Sequence, residues 1–223
     1  KFKDKYELFI NVNGLSVSFY SRNDNKSNIY NILASLAVIN LYKDIRKFKK
    51  NIFLNFKIPS GRGDISKVKL KNKNIHLVDE TYNSNPLSLK IALENYDKID
   101  SKNSKKFLIL GDMLELGKHS IKQHKLISKI VNQTKIDKVY VTGKYIKGTF
   151  EGLKSIKKAE ILDKNFNIID LINKNLNNND YLMIKGSNST GLHKITNNLK
   201  QRSSNVIWIF IKLYWDFYIF KRL

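Results

Sequence analysis

Beyond residue 59 the hydrophobic positions switch repeatedly between two spacings. Short runs rich in Ile, Val, Leu, Phe and Tyr, at Ile75–Val78, Phe107–Leu110, Val139–Val141, Ala159–Leu162 and Tyr181–Ile184, predict strands. Between and after them, apolar residues recur every three or four positions over Leu87–Tyr96, Ile121–Val131, Ile146–Leu153, Phe166–Leu176 and Leu192–Leu199, which predicts helices. Strand alternating with helix builds βαβ units. The sequence therefore predicts an α/β fold: a doubly wound, mostly parallel sheet with helices on both faces.

The first 58 residues read differently. Residues 6–20, YELFINVNGLSVSFY, place two β-rich runs around Asn13-Gly14, the dipeptide that suits a two-residue hairpin turn. A helix is predicted from Asn28 to Lys43 and a second, short one from Ile45 to Asn55. Pro59-Ser60-Gly61-Arg62-Gly63 then breaks the pattern and suits a domain junction. We expect three parts: 1–58, 59–201, and an apolar, aromatic tail over 202–223. Within that tail, residues 206–220 are interrupted by Lys212 and Asp216 and fall short of the roughly 20 residues that span a bilayer. No transmembrane helix is expected, and membrane contact by the tail is not favoured.

Composition changes this picture little. The net charge of +22 first suggests a polyanion partner, yet the basic residues are 36 Lys and only 5 Arg, spread along the whole chain. Arg is the side chain suited to bidentate phosphate and base recognition, so the excess reads as lysine usage and no nucleic-acid partner is expected. The absence of cysteine excludes a disulfide framework and a Cys-based zinc site. The chain starts at Lys1 without a signal-peptide pattern; a fragment of a longer protein, cytoplasmic, bacterial and monomeric, is expected.

An open parallel sheet gathers ligands at the carboxyl ends of its strands. There the sequence puts Asp79 to Pro86, Gly111-Asp112-Met113, Thr142-Gly143 and Lys185-Gly186-Ser187, a set suited to a substrate bearing phosphate with amine or carboxylate groups. Each piece also has an ordinary explanation. Asn83 and Asn85 before Pro86 fit turns and a helix cap, and the glycines fit tight connections. His119 and His124 lack the spacing of a metal pair, so no metal site is expected. Gly111 to Lys118 imitates a phosphate-binding loop but has five residues between its glycines and His119 where Ser or Thr is required.

Taken in order, SNIYNILASLAV, the SGRG junction, VDETYNSNP, LGDMLELG with His124, and IKGSNSTGL resemble the Mur ligases over residues 20–200. The resemblance implies a Rossmann-like C-terminal domain at 59–201, preceded by the end of a central ATPase domain at 1–58. It implies an ATP- and Mg2+-dependent ligase of peptidoglycan precursor synthesis that forms an amide through an acyl phosphate. The tyrosine-asparagine loop points to the branch that joins D-alanyl-D-alanine to a UDP-N-acetylmuramoyl-tripeptide. By position, Asn28 and Asn31 match residues that recognise adenine, Arg62 one that approaches ATP, and Asp79 one near its ribose and phosphates. Tyr82, Asn83 and Asn85 match the segment facing the incoming dipeptide, and Lys185, Gly186 and Ser187 a loop turned toward the reaction centre.

Departures matter as well. Asn188, Thr190 and His193 stand where Arg, Met and Glu are usual in the family. The family's phosphate loop, magnesium ligands and modified lysine would lie upstream of Lys1, so the catalytic residues are not identified and the chain alone is expected to be inactive. Gly61-Arg62-Gly63 is expected to act as a hinge. The alternatives are another Mur-type or folylpolyglutamate-type ligase, or a basic α/β module binding nucleic acid or anionic lipid.

Overall fold

The structure is a computed structural model that describes residues 5–22, 26–56, 59–70, 73–101 and 103–202. The chain forms two compact units, residues 1–58 and 59–223. The tail over 206–220 lies outside the described residues. Among the described residues no helix is long and apolar enough to cross a membrane.

In the first unit β1 (Tyr6–Val12) pairs antiparallel with β2 (Leu15–Ser21), and α1 spans Lys26–Ile39. Asn13 and Gly14 sit at φ 50° and 84°, the positive pair that a type I′ turn requires. Ile10, Val12 and Phe19 from one face of the hairpin pack on Ile32 and Leu36 of α1. The helix predicted over Ile45–Asn55 does not form; only a single 3₁₀ turn, Ile45–Lys47, is present, followed by turns. Its apolar residues Ile45, Phe48 and Phe53 still reach the core, with Phe53 edge-on to Phe19 at 5.3 Å. The apolar spacing there reported burial and not helical hydrogen bonding.

The second unit contains a six-stranded sheet: β3 (Asp64–Lys69), β4 (Asn74–Glu80), β5 (Lys106–Gly111), β6 (Lys138–Thr142), β7 (Lys158–Ile161) and β8 (Tyr181–Lys185), in the order β3-β4-β8-β5-β6-β7. All pairs are parallel except β3 with β4. The helices are α2 (Pro86–Lys98), α3 (Ser120–Gln133), α4 (Lys147–Glu151), α5 (Ile168–Asn175) and α6, residues 192–202. Successive side chains of a strand alternate between two cores. Leu108, Leu110, Val139, Val141 and Met183 face α2, α3 and α4, whereas Phe107, Ile109, Tyr140, Leu182 and Ile184 face α5 and α6. Helices thus cover both faces, which is the doubly wound α/β arrangement the hydrophobic pattern predicts.

Three lysines have specific work at the amino ends of the strands. Lys73 Nζ donates to the carbonyls of Asn173 (3.0 Å) and Leu176 (2.6 Å) at the end of α5. Lys106 donates to Asp97 O in the last turn of α2, and Lys157 to Thr134 O and Ile136 O just past α3. Each ammonium satisfies carbonyls that a helix leaves unpaired and sits at the negative end of its dipole. Burial lowers the pKa of Lys106 and of Lys157, and the hydrogen bonds to carbonyls are what these cations gain in exchange.

Candidate functional site

Chain direction creates the site. β4 and β5 lead into helices on one face of the sheet, while β8, lying between them, leads into α6 on the other. The connections therefore part on either side of β8, and a crevice at such a switch point is where open α/β sheets take ligands. Three loops meet there: residues 81–85, 112–116 and 186–191.

Ser187 knots these loops together. Its N–H donates to Asp112 O (3.0 Å), its hydroxyl donates to Ser84 O (3.2 Å), and the same hydroxyl accepts from Leu114 N–H (2.8 Å). One buried hydroxyl thus sets the spacing of loops more than 70 residues apart. His124 braces the middle loop from α3. Fully buried, it accepts the Met113 N–H at Nε2 (2.9 Å), which leaves Nδ1 as the donor to Ser120 O (2.6 Å). Asp112 extends the brace sideways, its carboxylate accepting the N–H groups of Lys144, Tyr145 and Ile146 ahead of α4.

The residues that sequence reasoning places toward substrate divide into two classes. Tyr82, Asn83 and Asn85 are exposed on the 81–85 loop; Lys185, Gly186 and Ser187 are buried beneath it. Asn85 caps α2: its Oδ1 accepts Ser88 N–H (2.8 Å) while Ser88 Oγ accepts Asn85 N–H (3.0 Å), with Pro86 in the first turn. Asn83 Oδ1 accepts the N–H of Ser84 (2.7 Å). Lys185, 1% exposed, donates to Asn83 O (3.0 Å) and Glu80 (3.4 Å), so its ammonium supports the loop from below. Gly186 lies against Gly111 and Leu192 with no space for a side chain. The hydroxyl of Ser84 is buried and has no hydrogen-bond partner within the described residues.

The residues placed toward the nucleotide are spread over both units. Asn28 is buried and Asn31 exposed, one turn apart at the start of α1. Arg62 is exposed, its guanidinium 3.9 Å above the Tyr82 ring. Asp79 is 1% exposed; Oδ1 accepts from Thr81 N–H (3.1 Å) and Thr81 Oγ1 (2.6 Å), and Oδ2 from Lys200 Nζ (2.5 Å). The junction glycines differ from a loose hinge. Gly61 and Gly63 sit at φ 81° and 90°, yet the loop is fastened by Gly61 N–H to Asp64 (2.7 Å), Gly63 N–H to Asp79 O (2.7 Å) and Tyr82 N–H to Gly61 O (3.0 Å). A Cβ at Gly61 would come within 2.9 Å of Tyr82 N. In this conformation glycine permits a left-handed turn at both positions and a close approach at Gly61.

Several contributors are absent from the sequence reading. Lys200, Asp64 and Thr196 form a polar cluster with Asp79 and Thr81, and no spacing signal singles them out. Among the described residues no group of three or more His, Asp or Glu side chains is placed to hold a metal ion. A groove of about 550 Å³ lies at the opposite, amino end of β5 to β7, beside Lys105, Asp137, Lys138 and Glu160, away from every motif residue.

Comparison with known proteins bears on the family and the fold. The Mur ligase, glutamate ligase domain family matches residues 65–188. The UDP-N-acetylmuramoyl-tripeptide–D-alanyl-D-alanine ligase of Bacillus subtilis is 25% identical over 191 residues, covering 84% of this chain and 41% of that protein. The enzyme of the same name from Rickettsia prowazekii is 28% identical over 166 residues, or 74% of this chain and 35% of its own. The crystal structure of the MurF ligase from Thermotoga maritima in complex with ADP superimposes with a TM-score of 0.68 at 21% identity, over 92% of this chain and 45% of that one. The chain spans less than half the length of these relatives. With the family pattern covering more than half of its residues and the same α/β fold beneath it, the chain belongs to the Mur ligase family and carries that family's C-terminal domain.

Proposed function

We propose that the chain is the C-terminal part of a cytoplasmic bacterial ligase that uses ATP to join D-alanyl-D-alanine to a UDP-N-acetylmuramoyl-tripeptide in peptidoglycan precursor synthesis. The observation that carries this reading is the loop cluster at the carboxyl end of β8, where Tyr82, Asn83 and Asn85 are exposed on a loop braced from below by Lys185 and Ser187. Its curated relatives bear the dipeptide-adding name, which supports the choice of branch. An amide side chain offers both a donor and an acceptor, the pair needed to hold a zwitterionic dipeptide by its ends. In this reading the domain's role is positioning: it holds the amine in attack geometry while phosphate transfer is supplied elsewhere in the longer enzyme.

The nucleotide part of the proposal gives Asn28 and Asn31 to adenine and Arg62 to the phosphates. Asp79, whose oxygens are already engaged by Thr81 and Lys200, acts by holding the loops. Among the described residues no group of three or more carboxylate or imidazole side chains is placed to hold Mg2+, and in this reading its ligands are supplied by the rest of the longer enzyme.

Two measurements test the reading. The 223-residue chain, given ATP, Mg2+, the tripeptide nucleotide and the dipeptide, should release no phosphate and form no amide; turnover by the chain alone would overturn the assignment of phosphate transfer to upstream residues. In the longer ligase, Asn83→Ala should raise KM for the dipeptide about tenfold with KM for ATP unchanged, the signature of a lost substrate contact. An unchanged dipeptide KM would remove this loop from the dipeptide site.

A further inference from the structure

The geometry points to Lys200 as a positioning residue: it clamps the Gly61-Arg62-Gly63 loop and so sets the direction in which the Arg62 guanidinium is presented. Lys200 lies on α6, far from that loop in sequence, yet its ammonium reaches Asp64 Oδ2 (2.6 Å), Asp79 Oδ2 (2.5 Å) and Ser60 Oγ (3.1 Å). Those are the residues that anchor the loop. Asp64 uses its other oxygen to accept Gly61 N–H (2.7 Å), and Asp79 uses its backbone carbonyl to accept Gly63 N–H (2.7 Å). Asp64 and Asp79 are direct partners across the antiparallel β3–β4 ladder, so without a cation between them two carboxylates would face each other. Burial acts to lower the pKa of Lys200, but the hydrogen bonds to Asp64 and Asp79 together with their charges outweigh it and leave it raised, so the clamp stays charged.

What the clamp holds is a presented charge. Arg62 pairs with no carboxylate among the described residues; it lies exposed over Tyr82, whose N–H is in turn bonded to Gly61 O. The loop, the ring and the guanidinium therefore move as one piece, and Lys200 ties that piece to α6. The helix itself has other attachments: Leu192 and Leu199 are buried in the core and Thr196 Oγ1 lies 3.3 Å from Thr81 Oγ1. Replacing Lys200 should then release the loop without undocking α6.

NMR of the 223-residue chain tests this directly. In the wild type the Arg62 δ-methylene protons should be shifted upfield by the Tyr82 ring, and the Gly61 and Gly63 amides protected from exchange. In Lys200→Gln the Arg62 shift should collapse and both glycine amides exchange at least about tenfold faster, with Leu108 and Met183 unchanged and Lys200→Arg retaining most of the effect. Persistence of the stack and the protection in Lys200→Gln would overturn the clamp. Should that variant not fold, wild-type Gly61 and Gly63 amides that exchange as open-loop amides would overturn it equally. The functional consequence rests on the nucleotide reading of Arg62: in the longer ligase Lys200→Gln should raise KM for ATP about tenfold and leave KM for the dipeptide in place. If Arg62→Ala leaves KM for ATP unchanged, that reading fails, while the clamp is still decided by the NMR result.

Discussion

Gly143→Ala is expected to destabilise the C-terminal domain by about 4 kcal/mol, combining positive-φ strain with overpacking against a fixed group. Gly143 follows β6 at φ 136°, where an L side chain is strained, and a Cβ there would lie 2.6 Å from both Cγ and Oδ1 of Asp112. The carboxylate cannot retreat cheaply, because three backbone N–H groups, of Lys144, Tyr145 and Ile146, hold it at 2.8–2.9 Å. Moving it would unpair those donors and pull on the 112–116 loop, whose Leu114 N–H is bonded to Ser187. For a domain of this size the change corresponds to a fall in Tm of about 12 °C, read by thermal unfolding. Gly117→Ala is the control: Gly117 also has positive φ, 53°, but nothing lies within 4 Å of its would-be Cβ. That variant carries the strain alone and should lose about 1 kcal/mol. Equal losses in the two variants would mean that contact with Asp112 contributes nothing.

The ease with which this fold can be read from its sequence follows from where water is. Every residue of β5 is buried, and its middle, Phe107 to Leu110, is an unbroken apolar run that makes the strand plain in the sequence. β3 is an edge strand in which only Val68 is buried; Ile65, Lys67 and Lys69 face out, and no run of apolar residues announces it. The cap at Asn85-Pro86 is legible because it is local, made between residues three apart. The clamp at Lys200 is not: its partner Asp79 is 121 residues away, and nothing distinguishes this lysine from 35 others until the chain is folded. The candidate site divides in the same way. Motifs mark the loops at the carboxyl ends of the strands, whereas Lys200, which fastens the junction loop through Asp64 and Asp79, carries only long-range information.

Lys185→Met is the second large effect, with an expected loss of about 3 kcal/mol at neutral pH, the usual result of removing one partner from a buried ion pair. Burial lowers Lys185 and raises Glu80, and each is partly compensated by the other across 3.4 Å. With the ammonium gone, Glu80 keeps its burial and the neighbouring Asp79 and Asp64 charges, all of which raise it, and loses the one group that lowers it. Its folded-state pKa must then climb further above the ordinary 4.5. A carboxyl raised in the folded state favours folding below its unfolded pKa and loses that advantage as pH rises through the folded value. The deficit of Lys185→Met should accordingly be small below the ordinary carboxyl value of 4.5 and grow as pH rises above it. Lys185→Met/Glu80→Gln removes the stranded charge and should recover much of the loss, with a stability difference from Lys185→Met that follows the same pH course. Denaturant unfolding of the three proteins at several pH values decides it. A deficit independent of pH, or a double variant no more stable than the single one, would mean that Lys185 acts through its hydrogen bond to Asn83 O and not by neutralising Glu80. Lys185→Met takes support from the 81–85 loop, so under the proposed function it should weaken dipeptide use in the longer ligase. The two mechanisms separate there too, because only charge neutralisation lets Glu80→Gln restore it.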